Sequence, residues 1–141
     1  MLTELSLATV MVVLTVTIHG GGLFLLARLL WIETHEERVE HITVLSLRGI
    51  AATLATVLGL FLLHGIEIWL YAFLFVAIGA VDGLREAVYF STITYAAIGY
   101  DDHAMAEQWR LVSAIEGING IILIGWSTAF FVTRIAGLRR L

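Results

Sequence analysis

The chain contains no cysteine and no proline among its 141 residues. Without cysteine, disulfides, thiolate metal sites and cysteine nucleophiles are excluded, and without proline no helix carries a proline kink. Charged residues make up only 14%, and the net charge of -4 gives no indication of a nucleic-acid partner. No nucleophile and base stand at a workable spacing, so an enzyme is not expected.

Apolar residues dominate instead, at 60% of the chain with a mean hydropathy of +0.94. About twenty apolar residues cross a hydrocarbon core of roughly 30 Å, so the chain has room for three crossings and no separate soluble domain. Candidate spans are residues 5–32, 42–63 and 106–134. The first four residues carry no positive charge, which favours a retained membrane helix over a signal peptide. The predicted fold class is an all-α integral membrane protein.

The most charged stretch, Glu33 to His41, reads as a solvated connector between the first two spans. Its two histidines, His35 and His41, are six residues apart, whereas a helical zinc pair stands four apart. A metal site is therefore not predicted here. Within the first span, His19 is expected to hydrogen-bond to a neighbouring helix, with a titrating role in a pore as the alternative.

The second span does not end cleanly, because the chain is apolar again from Ile68 to Val81 after His64 and Glu67. A continuous or bent helix is favoured over a separate half-span, since no polar loop divides the two parts. His64 and Glu67 are three residues apart and can share a helical face. Structural pairing and gating both remain open for them.

A short helix is predicted at residues 84–95. Asp82 is expected to cap it, and Glu86 lies in its first turn, where the helix dipole favours an acid. The helix is too short to cross a membrane, so it would enter and stop halfway. Residues 96–102 follow as a loop, and a polar return leads to the third span.

The stretch Ser91 to Asp102 resembles the pore loop of the potassium-channel superfamily, whose filter reads Thr-Val-Gly-Tyr-Gly followed by Asp. Tyr89-Phe90-Ser91-Thr92 and Thr94 match in order. The aligned filter residues are Ala97, Ile98, Gly99, Tyr100 and Asp101, with Asp102 behind them. The resemblance extends to bacterial pore-loop channels and to two-helix and two-pore-domain potassium channels. It implies a re-entrant pore helix, a homotetrameric pore and a permeating cation, K⁺ first and Na⁺ or Ca²⁺ as alternatives, with no other cofactor.

Three residues depart from the family pattern. Ala96 and Ala97 stand where the family has two threonines, and Ala97 replaces the one whose hydroxyl would help to form the innermost ion site. Asp101 replaces the second filter glycine, so a tetramer places acids at its outer mouth, where Asp101 is a candidate divalent-cation ligand. Weakened potassium selectivity is the resulting expectation.

Polar and small residues interrupt the third span. Thr94, Glu116 and Asn119 are candidate filter supports, and a membrane-buried acid such as Glu116 is expected to be neutral or paired. Gly117, Gly120, Gly125 and Phe130 are candidates for a hinge or gate. Tight helix packing is the alternative for the glycines, and packing on lipid or on the outer helix is the alternative for the aromatic residue.

The chain divides into residues 1–41, an additional helix with its connector, and residues 42–141, the pore domain. The arginines predict an external N-terminus and a cytoplasmic C-terminus, in a multi-pass protein of the cell membrane in contact with lipid. The expected function is a pore-forming cation-channel subunit. The alternative is a non-conducting assembly or regulatory protein that keeps the channel fold.

Overall fold

A computed structural model describes residues 1–37, 46–99 and 105–138, with side chains for residues 1–29, 46–99 and 105–136. All regular structure in these ranges is helical. The helices are α1 (Leu2–Glu37), α2 (Leu47–Ala77), α3 (Leu84–Tyr95) and α4 (Arg110–Leu138), with a short 3-10 turn at Glu107–Trp109 leading into α4. Three segments are long and apolar enough to cross a membrane, namely Leu2–Leu29, Leu47–Ala77 and Glu107–Ala136. The predicted all-helical membrane fold is confirmed.

The second span is one unbroken helix, as favoured from the sequence. Ser46 begins α2 by accepting a hydrogen bond from the Gly49 amide at 3.1 Å. Just after the last helical residue, Ala77, the chain turns at Gly79, whose φ of +63° lies in the left-handed region. The Gly79 amide donates to the Val76 carbonyl and the Ala80 amide to the Phe75 carbonyl, which is the Schellman arrangement of a helix C-terminus. Residues 66–81 therefore form the last turns of α2 and its cap.

The structure describes only the first part of the predicted connector, residues 33–37. Helix α1 continues to Glu37, so residues 33–37 are helical and do not belong to a loop. The predicted connector therefore begins in helical conformation. Residues 38–45, including His41, lie outside the described residues.

Helix α3 has the bounds that the sequence predicts, but its cap differs. Gly83 occupies the N-cap position with a φ of +86°, and no side chain caps the helix there. The prediction for Asp82 is wrong, because this residue stands one position too early for its carboxylate to cap the first turn. Glu86 does lie in the first turn.

Helices α1 and α3 each pack against both α2 and α4. Residues of α1 pair with α2 in reverse order and with α4 in the same order, so α1 is antiparallel to α2 and parallel to α4. One buried apolar cluster joins the start of α1 to the turn after α2 and to α3; it includes Ala8, Met11, Tyr71, Phe75, Ala80, Phe90, Met105 and Val112. A second cluster, at the other end, contains Leu23, Leu60 and Leu63 with Phe130 and Phe131 packed on it. Helix α1 therefore contributes to the core of the molecule.

Glycines bring α1 close to both neighbours. A Cβ atom at Gly22 would lie 2.5 Å from a methyl group of Leu63, and one at Gly20 would lie 3.2 Å from the Trp126 ring. At Gly59 of α2 a Cβ atom would lie 2.7 Å from a methyl group of Leu26. Glycine at these positions thus allows the helices to approach closely.

Candidate functional site

The loop that leaves α3 begins with a helix cap of unusual composition. The Ala97 amide donates to the Thr94 carbonyl at 2.9 Å, and the Ile98 amide donates to the Ile93 carbonyl at 2.9 Å. This is again a Schellman cap, with Ala97 at the left-handed position usually held by glycine. The φ of Ala97 is +55°, the only positive φ of a non-glycine residue in the described ranges, and that of Gly99 is +56°. A left-handed backbone is costly for alanine and more so for β-branched residues.

This capped segment is exposed. Residues 96–99 are all solvent-accessible in the single chain, and the Ile98 side chain is 67% exposed. The structure thus describes three of the five predicted filter residues, Ala97, Ile98 and Gly99. Tyr100, Asp101 and the second outer acid, Asp102, lie outside the described residues.

Helix α3 is held from behind by a buried contact between Ser91 and Glu116. The Ser91 hydroxyl lies 3.0 Å from the Ile68 carbonyl oxygen and also contacts the Glu116 carboxyl group. A hydroxyl has one hydrogen, so two acceptors are satisfied together only when the carboxyl group supplies a second hydrogen. Glu116 is fully buried, and its other oxygen has no hydrogen-bond partner. The carboxyl group therefore faces the back of α3, where a filter support was predicted.

Two glycines of α4 lie against the end of α3. A Cβ atom at Gly120 would overlap the Tyr95 carbonyl oxygen, and one at Gly117 would lie 3.3 Å from the Thr94 carbonyl oxygen. Both positions therefore show the tight helix packing that was the alternative to a hinge. Gly125 has open space where a Cβ would stand, and Phe130 packs on the apolar cluster formed by Leu23, Leu60 and Leu63.

The last residue of α3 enters a polar cluster that spans four helices. The Tyr95 hydroxyl donates to a carboxylate oxygen of Glu67, and His19 Nδ1 lies 2.9 Å from the other oxygen. His64 Nδ1 lies 2.9 Å from the Tyr95 oxygen and 3.5 Å from Glu67. Ser127 Oγ lies 3.2 Å from His19 Nε2. We name His19, His64, Glu67, Tyr95 and Ser127 the polar cluster.

The hydrogens of this cluster can be assigned from its acceptors. The Glu67 carboxylate only accepts, so His19 donates from Nδ1, and its Nε2 can then accept from the Ser127 hydroxyl. The Tyr95 hydrogen goes to Glu67, so the Tyr95 oxygen accepts from His64 Nδ1. His19, Glu67 and Tyr95 are almost completely buried. The contact of His19 with Glu67 of α2 confirms the expected hydrogen bond to a neighbouring helix. The close approach of His64 to Glu67 fits structural pairing, one of the two roles left open for them.

Asn119 lies in a separate chain of contacts. Its side-chain amide donates to Thr15 Oγ1 at 2.8 Å and to the Tyr71 hydroxyl at 3.4 Å. The structure thus places Asn119 between α1 and α2, whereas the sequence proposed it as a filter support beside Glu116. Its position three residues after Glu116 turns it to a neighbouring sector of the helix, about 60° around the axis.

Three residues that make these contacts were not predicted as site residues from the sequence. Tyr95 and Ser91 were read as part of the loop motif, and their partners Glu67 and Glu116 stand more than twenty residues away. Ser127 carried no signal, as a single hydroxyl in an apolar span. The signal that existed was the presence of several ionisable groups within apolar spans, because such groups must find partners.

The arrangement is that of an all-helical membrane protein in which a short helix packs between two apolar helices and ends in an exposed loop. A family model described as ion channel matches residues 57–136, which is more than half of the chain. The chain therefore belongs to this ion channel family, and the resemblance to the potassium-channel-like pore-loop superfamily is confirmed. No curated protein and no solved structure gives a match.

Proposed function

We propose that this chain is the pore-forming subunit of a homotetrameric cation channel of the cell membrane. The observation that carries the proposal is the exposed loop of residues 96–99 at the end of a firmly supported short helix, in a chain of the ion channel family. Non-helical backbone is tolerated at membrane depth only when it is buried in protein or lines a water-filled path. One chain leaves this loop uncovered, so further copies would have to surround it.

The proposed cation is K⁺, with selectivity weakened toward Na⁺ and a divalent ion held or blocking at Asp101. The support for this part lies in the sequence, because Ala97 cannot offer a threonine hydroxyl and Asp101 adds a carboxylate at each outer mouth. The N-terminus is placed outside and the C-terminus in the cytoplasm. The start of α1, the turn before α3 and Met105, which follows the loop, share one buried cluster, which agrees with a pore loop that enters from the N-terminal side.

The test is ion flux through purified protein in liposomes, followed by single-channel recording. We expect K⁺ flux above that of empty liposomes, and reversal potentials in mixed K⁺, Na⁺ and Ca²⁺ solutions that indicate incomplete selectivity. Gly99→Val should reduce flux at least about tenfold, because a β-branched residue disfavours a left-handed backbone. Gly21→Val is the matched control, since Gly21 is helical with open space around it.

Three outcomes separate the alternatives. Flux that survives Gly99→Val would exclude the loop as the conduction path. An intact oligomer without any flux would favour the non-conducting regulatory protein. Strict K⁺ selectivity with no effect of Ca²⁺ would leave a channel but contradict the roles given to Ala97 and Asp101.

A further inference from the structure

The polar cluster contains the ligand set of a metal site. One nitrogen of His19, one of His64 and one carboxylate oxygen of Glu67 lie within 4.8 Å of one another. Two histidines and one glutamate form a recurrent zinc ligand set in enzymes, where the fourth position stays open. The Tyr95 hydroxyl oxygen lies beside this ligand set, 2.9 Å from His64 Nδ1.

The geometry requires little rearrangement. Zinc bonds of 2.0–2.2 Å in a tetrahedron place neighbouring ligand atoms about 3.3 Å apart. Glu67 Oε1 lies 2.9 Å from His19 Nδ1, and Glu67 Oε2 lies 3.5 Å from His64 Nδ1. The two imidazoles would therefore move closer together around the carboxylate. Both Nδ1 atoms donate hydrogens in the assignment above, so each ring must move that hydrogen to Nε2 or release it when the metal binds. Both ligands of α2 stand three residues apart on one face of a rigid helix, a spacing that also supplies paired ligands in metal-binding helical bundles.

The charge also favours a cation. The Glu67 carboxylate is fully buried. In a medium of low dielectric, a divalent cation gains more from such a carboxylate than it would in water. Imidazole nitrogen prefers zinc and its first-row neighbours over Ca²⁺ and Mg²⁺, which separates this cluster from the acids predicted at the outer mouth.

The cluster borders a cavity on one side. This cavity of about 300 Å³ lies between α2 and α4, and its polar lining residues are His64, Ser127 and Thr128, among apolar ones. The His64 side chain is 19% exposed, whereas His19 and Glu67 are completely buried. His64 is therefore the member that an entering ion meets first.

We propose that His19, His64 and Glu67 bind one zinc ion per chain, and that the ion controls the end of α3. Binding would take Glu67 and His64 away from the Tyr95 hydroxyl, which is their present partner. Tyr95 immediately precedes the loop of residues 96–99, so occupancy alters the support of that loop. The binding itself is independent of conduction; the effect on flux rests on the proposed channel function.

The first experiment measures binding by calorimetric titration of untagged, detergent-purified protein with zinc alone. We expect one zinc ion per chain and a Kd at least about tenfold weaker in His64→Gln and in His19→Gln, since each variant removes a ligand. His35→Gln is the matched control, because it lies in α1 about 24 Å along the helix from His19.

X-ray absorption at the zinc edge supplies a second measurement. The expected spectrum has nitrogen and oxygen ligands at about 2.0–2.1 Å with imidazole scattering, and His64→Gln weakens that scattering. Thermal unfolding identifies variants that fail to fold, and His64→Gln is the most tolerant, because its side chain borders the cavity. A folded wild-type protein that binds no zinc, or a Kd unchanged in both histidine variants, would overturn the site.

The second experiment adds zinc to the K⁺ flux assay. Flux of the wild type should fall, and His64→Gln should need at least about tenfold more zinc for the same effect. Bound zinc without any change in flux would overturn the control of α3 while leaving the site intact. Absence of flux in every protein would contradict the channel function, and the titration would still decide whether the site exists.

Discussion

Glu67 shows how a charged residue is accommodated in an apolar span of this chain. Its two carboxylate oxygens meet donors from His19 of α1 and Tyr95 of α3, and His64 of its own helix lies close by. A buried charge without such partners costs several kcal/mol. Because the two donors come from α1 and α3, the carboxylate fixes the positions of those helices relative to its own. The same contacts place the end of α3, from which the loop begins.

Ala97 is the residue at which backbone conformation and the family pattern disagree. With a φ of +55° in a helix cap, it occupies a position that favours glycine and disfavours threonine, the residue of the related filters. Ala97→Gly should raise the free energy of unfolding by about 1 kcal/mol. Ala97→Thr should lower it by a similar amount, and by restoring the hydroxyl of the related filters it should sharpen K⁺ selectivity.

Thermal unfolding of the detergent-solubilised protein and reversal potentials measure these two effects. Gly65→Ala offers a control for general helix propensity, since Gly65 lies inside α2 with open space around it. Greater stability together with stricter selectivity in Ala97→Thr would mean that the working loop has an extended backbone at this position.

At the scale of elements, periodic and compositional signals predicted most of the helices. The three spans follow from apolar length, and α3 from the helix-start signal at Asp82 and Glu86. Helix ends were harder, because they depend on one residue in a left-handed conformation. Gly79 ends α2, yet its sequence context is as apolar as the helix itself. Asp82 looked like a cap, yet Gly83 has the required backbone conformation.

The contacts of the candidate site were predicted only where both partners lie on one helix. His64 and Glu67 could be paired from a spacing of three residues. The contacts of Glu67 with His19 and Tyr95, and of Asn119 with Thr15, join residues 28 to 104 positions apart. Such pairs depend on how the helices pack, which spacing along one chain does not determine. The individual groups could be recognised as needing partners, but the partners could not be chosen.

Helix α4 carries two kinds of glycine, and one comparison distinguishes them. Gly120→Ala should destabilise the protein by about 1–3 kcal/mol, because the added methyl overlaps a backbone oxygen of Tyr95 that cannot rotate away. Gly125→Ala meets no atom within 4 Å and should stabilise the helix by up to about 1 kcal/mol.

Unfolding temperature measures both substitutions, and K⁺ flux shows whether either position bends during opening. A large loss of flux in a stable Gly125→Ala protein would support a hinge there. Equal stability of Gly120→Ala and the wild type would show that α3 and α4 do not approach as closely as the structure indicates.

At the scale of the whole molecule, the important feature is the place of α1. The sequence divides the chain into an additional helix and a pore domain, and the family match covers only residues 57–136. In the structure, α1 fills buried positions at Ala8, Met11 and Leu23. It also supplies the partners of Glu67 and Asn119, through His19 and Thr15. Glu67 and Asn119 of the matched region thus find hydrogen-bond partners on a helix outside it.

Removal of residues 1–45 should therefore leave a pore domain that does not fold stably by itself. Glu67 and Asn119 would each lose a buried hydrogen-bond partner, at about 1–3 kcal/mol apiece, and the apolar surface beneath α1 would be uncovered. Yield of folded protein, unfolding temperature and K⁺ flux measure the loss. Co-expression of residues 1–45 as a separate polypeptide is the control, because a membrane-inserted α1 should restore these contacts. If residues 46–141 alone form a stable, conducting oligomer, α1 is an accessory, and the regulation proposed for His19 has no structural basis.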